Sequence, residues 1–288
     1  MIQSIIEFCA TDGAMLNGWT NGKTSDKVII QIHGMTSNCF KKREKIIAKE
    51  MQIINVDTLC INTRGSGIVR YLKYDTGKKV LAGTGYEDVE ESYLDILGAI
   101  KYAINLGYTS IYLQGHSLGA TKVVYTYNKL KNENNDAIKY IKGILLLSLV
   151  DLPKMFAKEY SKDMLSYALE KEKNNELNSL MPENQSSYPM TIKTFLRYAK
   201  YNDNIDFARF DEENYTYPEL NNIKIPLFIR WGNVNEIINK DAREIVASVE
   251  SKLKNINKDI GYIDGANHTY ENCEEELANQ IRKFIKQI

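Results

Sequence analysis

The chain predicts an α/β fold: a mostly parallel central sheet with helices on both faces, and a helical cap inserted late. Three observations carry this. From residue 28 onward, short apolar runs alternate with longer stretches of helical periodicity. Several of those runs, such as VIIQIHG (28–34) and IPLFIRW (225–231), are too continuously apolar for a strand with one wet face, and read as buried parallel strands. Between two further runs lies GHSLG, residues 115–119, with an apolar strand-like SIYLQ (110–114) before it and a helical ATKVVYTYNKL (120–130) after it. Glycines at 115 and 119 let a strand and a helix approach around a sharp turn that lifts the Ser117 hydroxyl clear of the backbone. This strand, turn and helix context marks Ser117 as a nucleophile rather than a helix cap.

Taken in order, residues 3–10 and 14–20 are joined by Thr-Asp-Gly and read as an opening antiparallel pair. VIIQIHG follows as a strand, 41–51 as a helix and INVDTLCIN (54–62) as a second strand. Residues 88–106 read as a helix, then come the strand and helix around GHSLG, and a further strand over 141–149. The alternation then stops until 225–231, too long a gap for a simple connection. Between them, DMLSYALEKEKNNELNSL (163–180) and MTIKTFLRYAK (190–200) are helical, with breaks near Pro182 and Pro189. Residues 1–150 and 223–288 are therefore read as the core and 151–222 as the cap. The closing elements are a helix from about 241, a strand over 259–264 and a last helix from about 274, with His268 in the loop before it.

Composition narrows the function. Among 288 residues, 37 Lys and Arg balance 37 Asp and Glu, so no strong field favours nucleic acid or an anionic membrane surface. The most apolar stretch, GILLLSLV (143–150), is far too short to span a bilayer, and the N-terminal residues carry no basic leader. A cytoplasmic setting is expected. Cys9, Cys39, Cys60 and Cys273 lack the spacing of a metal site or disulfide framework, and the three histidines form no cluster, so neither a metal nor a cofactor is implied. RGSG (64–67) and GTG (83–85) complete no phosphate-binding fingerprint and read as ordinary turns.

With HGMTSN after the third strand, NTRGSG after the fourth, GHSLG, WGNVNEIIN after the late strand and GANH before the last helix, the chain resembles the α/β-hydrolase superfamily of esterase- and lipase-like serine hydrolases. The resemblance spans nearly the whole length. It implies a Ser, acid, His order, with Ser117 as nucleophile and His268 as base. The residues agree: a serine needs a base near neutral pH, His116 adjoins Ser117 in the elbow and should point away, and His33 belongs to the loop offering oxyanion donors. The resemblance further implies an oxyanion hole from the backbone N–H of Leu118 and of Met35.

The acid departs from the pattern. WGNVNEIIN puts Asn235 where relatives carry aspartate, with Glu236 beside it, and an amide there favours the wrong histidine tautomer. Three readings stand: Glu236 reaches His268 across the one-residue offset, Asp151 supplies the acid from the earlier strand, or the triad is impaired. Glu236 ranks first, and the plain reading of Asp151 is a helix cap. The same loop, with GANH before an acidic helix, also resembles a hydrolase group that includes fungal siderophore esterases, which implies a bulky ester or amide substrate. The expected activity is hydrolysis of a small-molecule carboxylic ester through an acyl-enzyme, with amide or thioester cleavage using the same parts. The alternative, motivated by Asn235, is a non-catalytic ligand-binding protein on the same scaffold. The cap is rich in tyrosine (Tyr160, Tyr167, Tyr188, Tyr198, Tyr201, Tyr215 and Tyr217), which suits an amphipathic pocket but also matches the Tyr-rich composition of the whole chain.

Overall fold

A computed structural model describes every residue except 1–3, 183–186, 201, 203 and 239. Residue 3 of the expected opening strand and Tyr201 of the cap therefore lie outside the described residues. The strands β1 (Ser4–Cys9) and β2 (Met15–Thr20) form the opening antiparallel pair. The alternation then runs β3 (Lys27–Ile32), α1 (Lys42–Ile53), β4 (Asp57–Ile61), a small hairpin of β5 (Arg70–Lys73) and β6 (Lys79–Ala82), α2 (Ser92–Asn105), β7 (Ser110–His116), α3 (Leu118–Asn132) and β8 (Ile141–Leu147). Between β8 and the next strand lie α4 (Leu152–Glu159), α5 (Lys162–Lys173), α6 (Ile192–Ala199) and the short α7 (Pro218–Asn221). The chain closes with β9 (Leu227–Gly232), α8 (Ala242–Lys252), β10 (Lys258–Ile263) and α9 (Glu274–Lys286).

Among the described residues, eight strands form one sheet in the order β1-β2-β4-β3-β7-β8-β9-β10. Every pairing from β4 to β10 is parallel, while β2 meets both neighbours antiparallel. Successive strand side chains point to opposite faces. Ile30, Ile32, Leu113, Ile144 and Ile229 face one core, which α2, α3 and α8 cover; Ile29, Tyr112, Leu145 and Phe228 face the other, under α1 and α9. Both faces are dry, which explains the uninterrupted apolar runs, and each fully buried Ile or Leu contributes about 1.5–3 kcal/mol. A third cluster joins α4, α5 and α6 to Leu118 at the start of α3, so the cap is seated on the elbow itself. Phe207, Phe210, Tyr217 and Leu220 pack into the larger core under α3 and α8 rather than into that cluster.

Three elements differ from the sequence expectation. The helix expected over 88–106 opens with a separate tight turn at Val89–Glu91, preceded by another at Thr84–Tyr86, and the α-helix starts at Ser92. The helix expected over 163–180 ends at Lys173, because Asn175 takes a left-handed φ of 61° and the Leu177 and Ser179 carbonyls accept from Lys193 and Ile192 N–H instead. The hairpin β5–β6 replaces part of what reads as plain loop. Its edges are charged and exposed, so it carries almost no apolar alternation.

Candidate active site

Ser117 sits between the last residue of β7 and the first of α3, at φ 55° and ψ −125°. A non-glycine residue at such angles is strained and persists only when its surroundings over-determine it. They do: the Ser117 N–H donates to the Leu147 carbonyl at 2.8 Å, pinning the turn to β8. The two motif glycines make the turn possible. A Cβ on Gly115 would lie 2.1 Å from the Gly119 carbonyl oxygen, and one on Gly119 would lie 2.5 Å from the Ile32 carbonyl oxygen at the end of β3.

His268 comes from the loop between β10 and α9, and its Nε2 lies 2.9 Å from Ser117 Oγ. Its Nδ1 is hydrogen-bonded to Glu236 Oε1. A carboxylate only accepts, so Nδ1 carries the proton and Nε2 is left free to accept from the serine hydroxyl. Glu236 is in turn held from several sides: its Oε2 accepts from Ser148 Oγ at 2.8 Å and Gly232 N–H at 2.9 Å, and its Oε1 accepts from Ile237 N–H at 3.0 Å. Burial alone would raise this carboxyl, but the His268 hydrogen bond and charge, with Gly232 and Ser148, outweigh it and hold its pKa below the ordinary value. The carboxylate therefore stays ionised beside the imidazole.

Asn235 is exposed and takes a left-handed φ of 50°, a conformation asparagine tolerates, which turns the chain so that the next side chain points inward. Asp151 accepts from Lys154 N–H at 3.2 Å as the N-cap of α4, away from the Nδ1 position that Glu236 fills. Two further residues support Glu236. Ser148, at φ 49° just past β8, reaches Glu236 as described, and its Oγ is 3.0 Å from the hydroxyl of Tyr270, which donates to the Arg230 carbonyl at 2.7 Å. The signal for Ser148 was its position at the carboxyl end of a parallel strand, where sites on such sheets gather. Tyr270 carried no local signal.

The other two histidines are structural neighbours of this chain. His116 points away from Ser117, and its Nε2–H donates to the His268 carbonyl at 2.7 Å. Burial, with Arg43 nearby, lowers its pKa well below the ordinary range, so it is neutral. In the loop after β3, His33 Nδ1–H donates to the Gly34 carbonyl at 2.8 Å and Nε2 accepts from Thr63 N–H at 3.1 Å. Burial and the Lys122 charge lower its pKa to about 3 despite the Gly34 bond, so it too stays neutral.

Ser117 and His268 open into a cavity of about 730 Å³. Met35 and Leu118 line it next to Ser117, and no hydrogen bond among the described residues takes up either backbone N–H. Its apolar wall is Leu152, Met155, Tyr188 and Ile237, with the Tyr188 hydroxyl 2.9 Å from Met35 Sδ. Of the cap tyrosines, Tyr160 packs on Phe156 and edge-on against Phe195, and Tyr198 packs on Phe156, whereas Tyr215 and Tyr217 pack against each other. The cavity's polar lining carries Lys41, Lys42 and Arg43 together with Glu159, Glu271 and Glu274, and Lys42 pairs with Glu274 at 3.0 Å, so the lining has no single sign. Among the described residues no group of three or more His, Cys, Asp or Glu is placed to hold a metal ion, and no helix is long and apolar enough to cross a membrane.

No protein-family model matches the chain, and no curated protein matches it by sequence. Solved structures match over almost the full length. The esterase Est1E from Butyrivibrio proteoclasticus, solved with ferulic acid, has a TM-score of 0.67 at 17% identity, covering 97% of this chain and 98% of its own. The Pyrococcus furiosus esterase Pf2001 has a TM-score of 0.62 at 18% identity, covering 99% and 91%. Mouse alpha/beta hydrolase domain-containing protein 10 has a TM-score of 0.61 at 12% identity, covering 99% of both. A parallel sheet with a strained serine between its middle strand and the following helix, matched end to end by these structures, is the α/β-hydrolase fold, and this chain has it.

Proposed function

We propose that the protein is a serine hydrolase acting on small-molecule carboxylic esters. The observation that carries the reading is the hydrogen-bonded chain Ser117–His268–Glu236 opening on a partly apolar cavity. His268 Nε2 takes the Ser117 proton as Oγ attacks the ester carbonyl carbon, and Glu236 steadies the imidazolium that forms. The oxyanion accepts from the Leu118 and Met35 N–H groups. Collapse expels the alcohol, protonated by His268, and leaves an acyl-Ser117. Water, deprotonated by the same nitrogen, then releases the acid and returns the proton to the serine.

The acyl group belongs against Leu152, Met155 and Tyr188. A small-molecule ester is supported by the Est1E structure, which was solved with ferulic acid. A cytoplasmic setting belongs to the same proposal, supported by four unpaired cysteines, two of them buried. The ligand-binding reading loses its motive once Glu236, not Asn235, faces His268.

The test is the intact mass after incubation with a fluorophosphonate, beside Ser117→Ala. We expect one adduct that requires Ser117, together with hydrolysis of short activated esters. Well-folded protein that neither labels nor turns over any ester would sink the hydrolase reading and return ligand binding to first place.

A further inference from the structure

The Gly-Thr-Gly at residues 83–85, an ordinary turn by sequence, is buried against the loop that carries Met35. Thr84 has no exposed surface. Its hydroxyl uses both of its capacities: Oγ1 accepts from the Thr36 N–H at 2.8 Å and donates to the Gly65 carbonyl at 2.9 Å. Thr36 itself takes a φ of 54°, which a β-branched residue holds only under restraint.

These bonds bear on the direction of one N–H. The carbonyl of Gly34 and the N–H of Met35 belong to the same peptide plane, and that peptide is trans, so fixing the carbonyl fixes the N–H on the opposite side. His33 Nδ1–H holds the carbonyl at 2.8 Å. The next peptide, from Met35 to Thr36, is held through its N–H by Thr84. Met35 is thus clamped on both sides of its Cα, before it by His33 together with the Ser37 N–H, which donates to the same Gly34 carbonyl at 3.3 Å, and after it by Thr84.

The Thr84 segment is itself anchored. Three residues on, Glu87 forms a fully buried ion pair with Lys122 of α3, and Lys122 donates to Thr63 Oγ1 at 3.3 Å. From the cap, Thr191 N–H reaches the Gly85 carbonyl at 2.8 Å, Thr194 Oγ1 the Glu87 carbonyl at 3.1 Å and the Tyr198 hydroxyl Glu87 Oε2 at 3.3 Å. There is no slack at Gly85, where a Cβ would lie 2.1 Å from the Pro189 carbonyl oxygen.

We propose that Thr84 is a positioning residue for the oxyanion donor: by holding the Thr36 N–H it aims the Met35 N–H at the site. The inference rests on the serine-hydrolase reading for its catalytic consequence, but the positioning itself has a separate readout. Thr84→Val removes the hydroxyl at nearly constant volume, and Thr84→Ser keeps it. For Thr84→Val we expect faster hydrogen exchange at the Thr36 amide. Turnover of a short activated ester should fall about 10- to 100-fold with KM little changed, because a misaimed donor is lost chiefly in the transition state. Affinity for a trifluoromethyl ketone, which forms the tetrahedral oxyanion, should fall with kcat/KM, and Thr84→Ser should restore all three.

A Thr84→Val protein that keeps its turnover and its Thr36 protection overturns the proposal, as does a Ser variant as impaired as the Val one. If Val at this position prevents folding, Thr84→Ala is read in the same way. A wild type without turnover or Ser117 labelling would instead refute the hydrolase reading, and Thr36 exchange would still decide whether Thr84 holds the loop.

Discussion

At the scale of single residues, the proposed acid is where local sequence and structure part. Read along the chain, Asn235 occupies the expected position; in space, its left-handed backbone throws it outward and delivers Glu236 to His268 Nδ1. The longer side chain was legible as a way across a one-residue offset, but the turn that makes it work depends on one φ angle that composition does not reveal. Glu236→Gln replaces an acceptor with an amide whose NH₂ stabilises the wrong tautomer, so turnover of a short ester should fall by about 10³- to 10⁴-fold with little change in KM. Asp151→Asn should leave turnover nearly unchanged, since asparagine caps α4 as well as aspartate does and Glu236 already fills the Nδ1 position. Steady-state kinetics on the three proteins decide the matter: equal and small losses would remove both carboxylates from the reaction. Ser148 and Tyr270 escaped the sequence reading for a related reason, because their partners lie 88 and 40 residues away and nothing adjacent announces them.

At the scale of elements, what the sequence made legible is what repeats. The buried strands declare themselves by apolar runs and the elbow by its two glycines, whereas the β5–β6 hairpin and the early end of α5 are set by tertiary pairing rather than by periodicity. The contact of α3 with β3 shows how tightly the elbow is drawn. In Gly119→Ala the new Cβ meets the Ile32 and His33 carbonyl oxygens at 2.5 and 2.6 Å, both of them backbone and unable to swing aside. The helix must lift away from the sheet, at a cost of about 1–3 kcal/mol. It carries Leu118 and Ser117 with it, so the denaturation midpoint and fluorophosphonate labelling should fall together. A variant as stable and as readily labelled as the wild type would show that the elbow has room it does not need.

At the scale of the whole molecule, the folded state binds fewer protons than the unfolded chain in mildly acidic solution. His33 and His116 are buried and neutral, with pKa values lowered from 6.5, so the stability they contribute is present above that value and is lost as pH falls below it toward their folded values. Two such groups should cost about 2–3 kcal/mol between about pH 7 and about pH 5.5. Glu236, also lowered, adds its loss only below the ordinary carboxylate pKa. Asp95, pushed up by burial in spite of Arg64, works the other way, adding stability as pH falls from its raised value toward the ordinary carboxylate one. Urea denaturation across this interval measures the slope, and a flat profile would mean that neither histidine is held neutral. The distances along the chain have a further consequence. Ser117 and His268 are 151 residues apart, with Glu236 lying between them 32 residues before His268, so the proposed base comes from far later in the chain than the proposed nucleophile. The elbow is complete once β7, α3 and β8 are together, but its base arrives only when β9 and β10 have joined the edge of the sheet. On the proposed mechanism, whatever order the strands take, turnover in refolding begins only once the loop after β10 is docked.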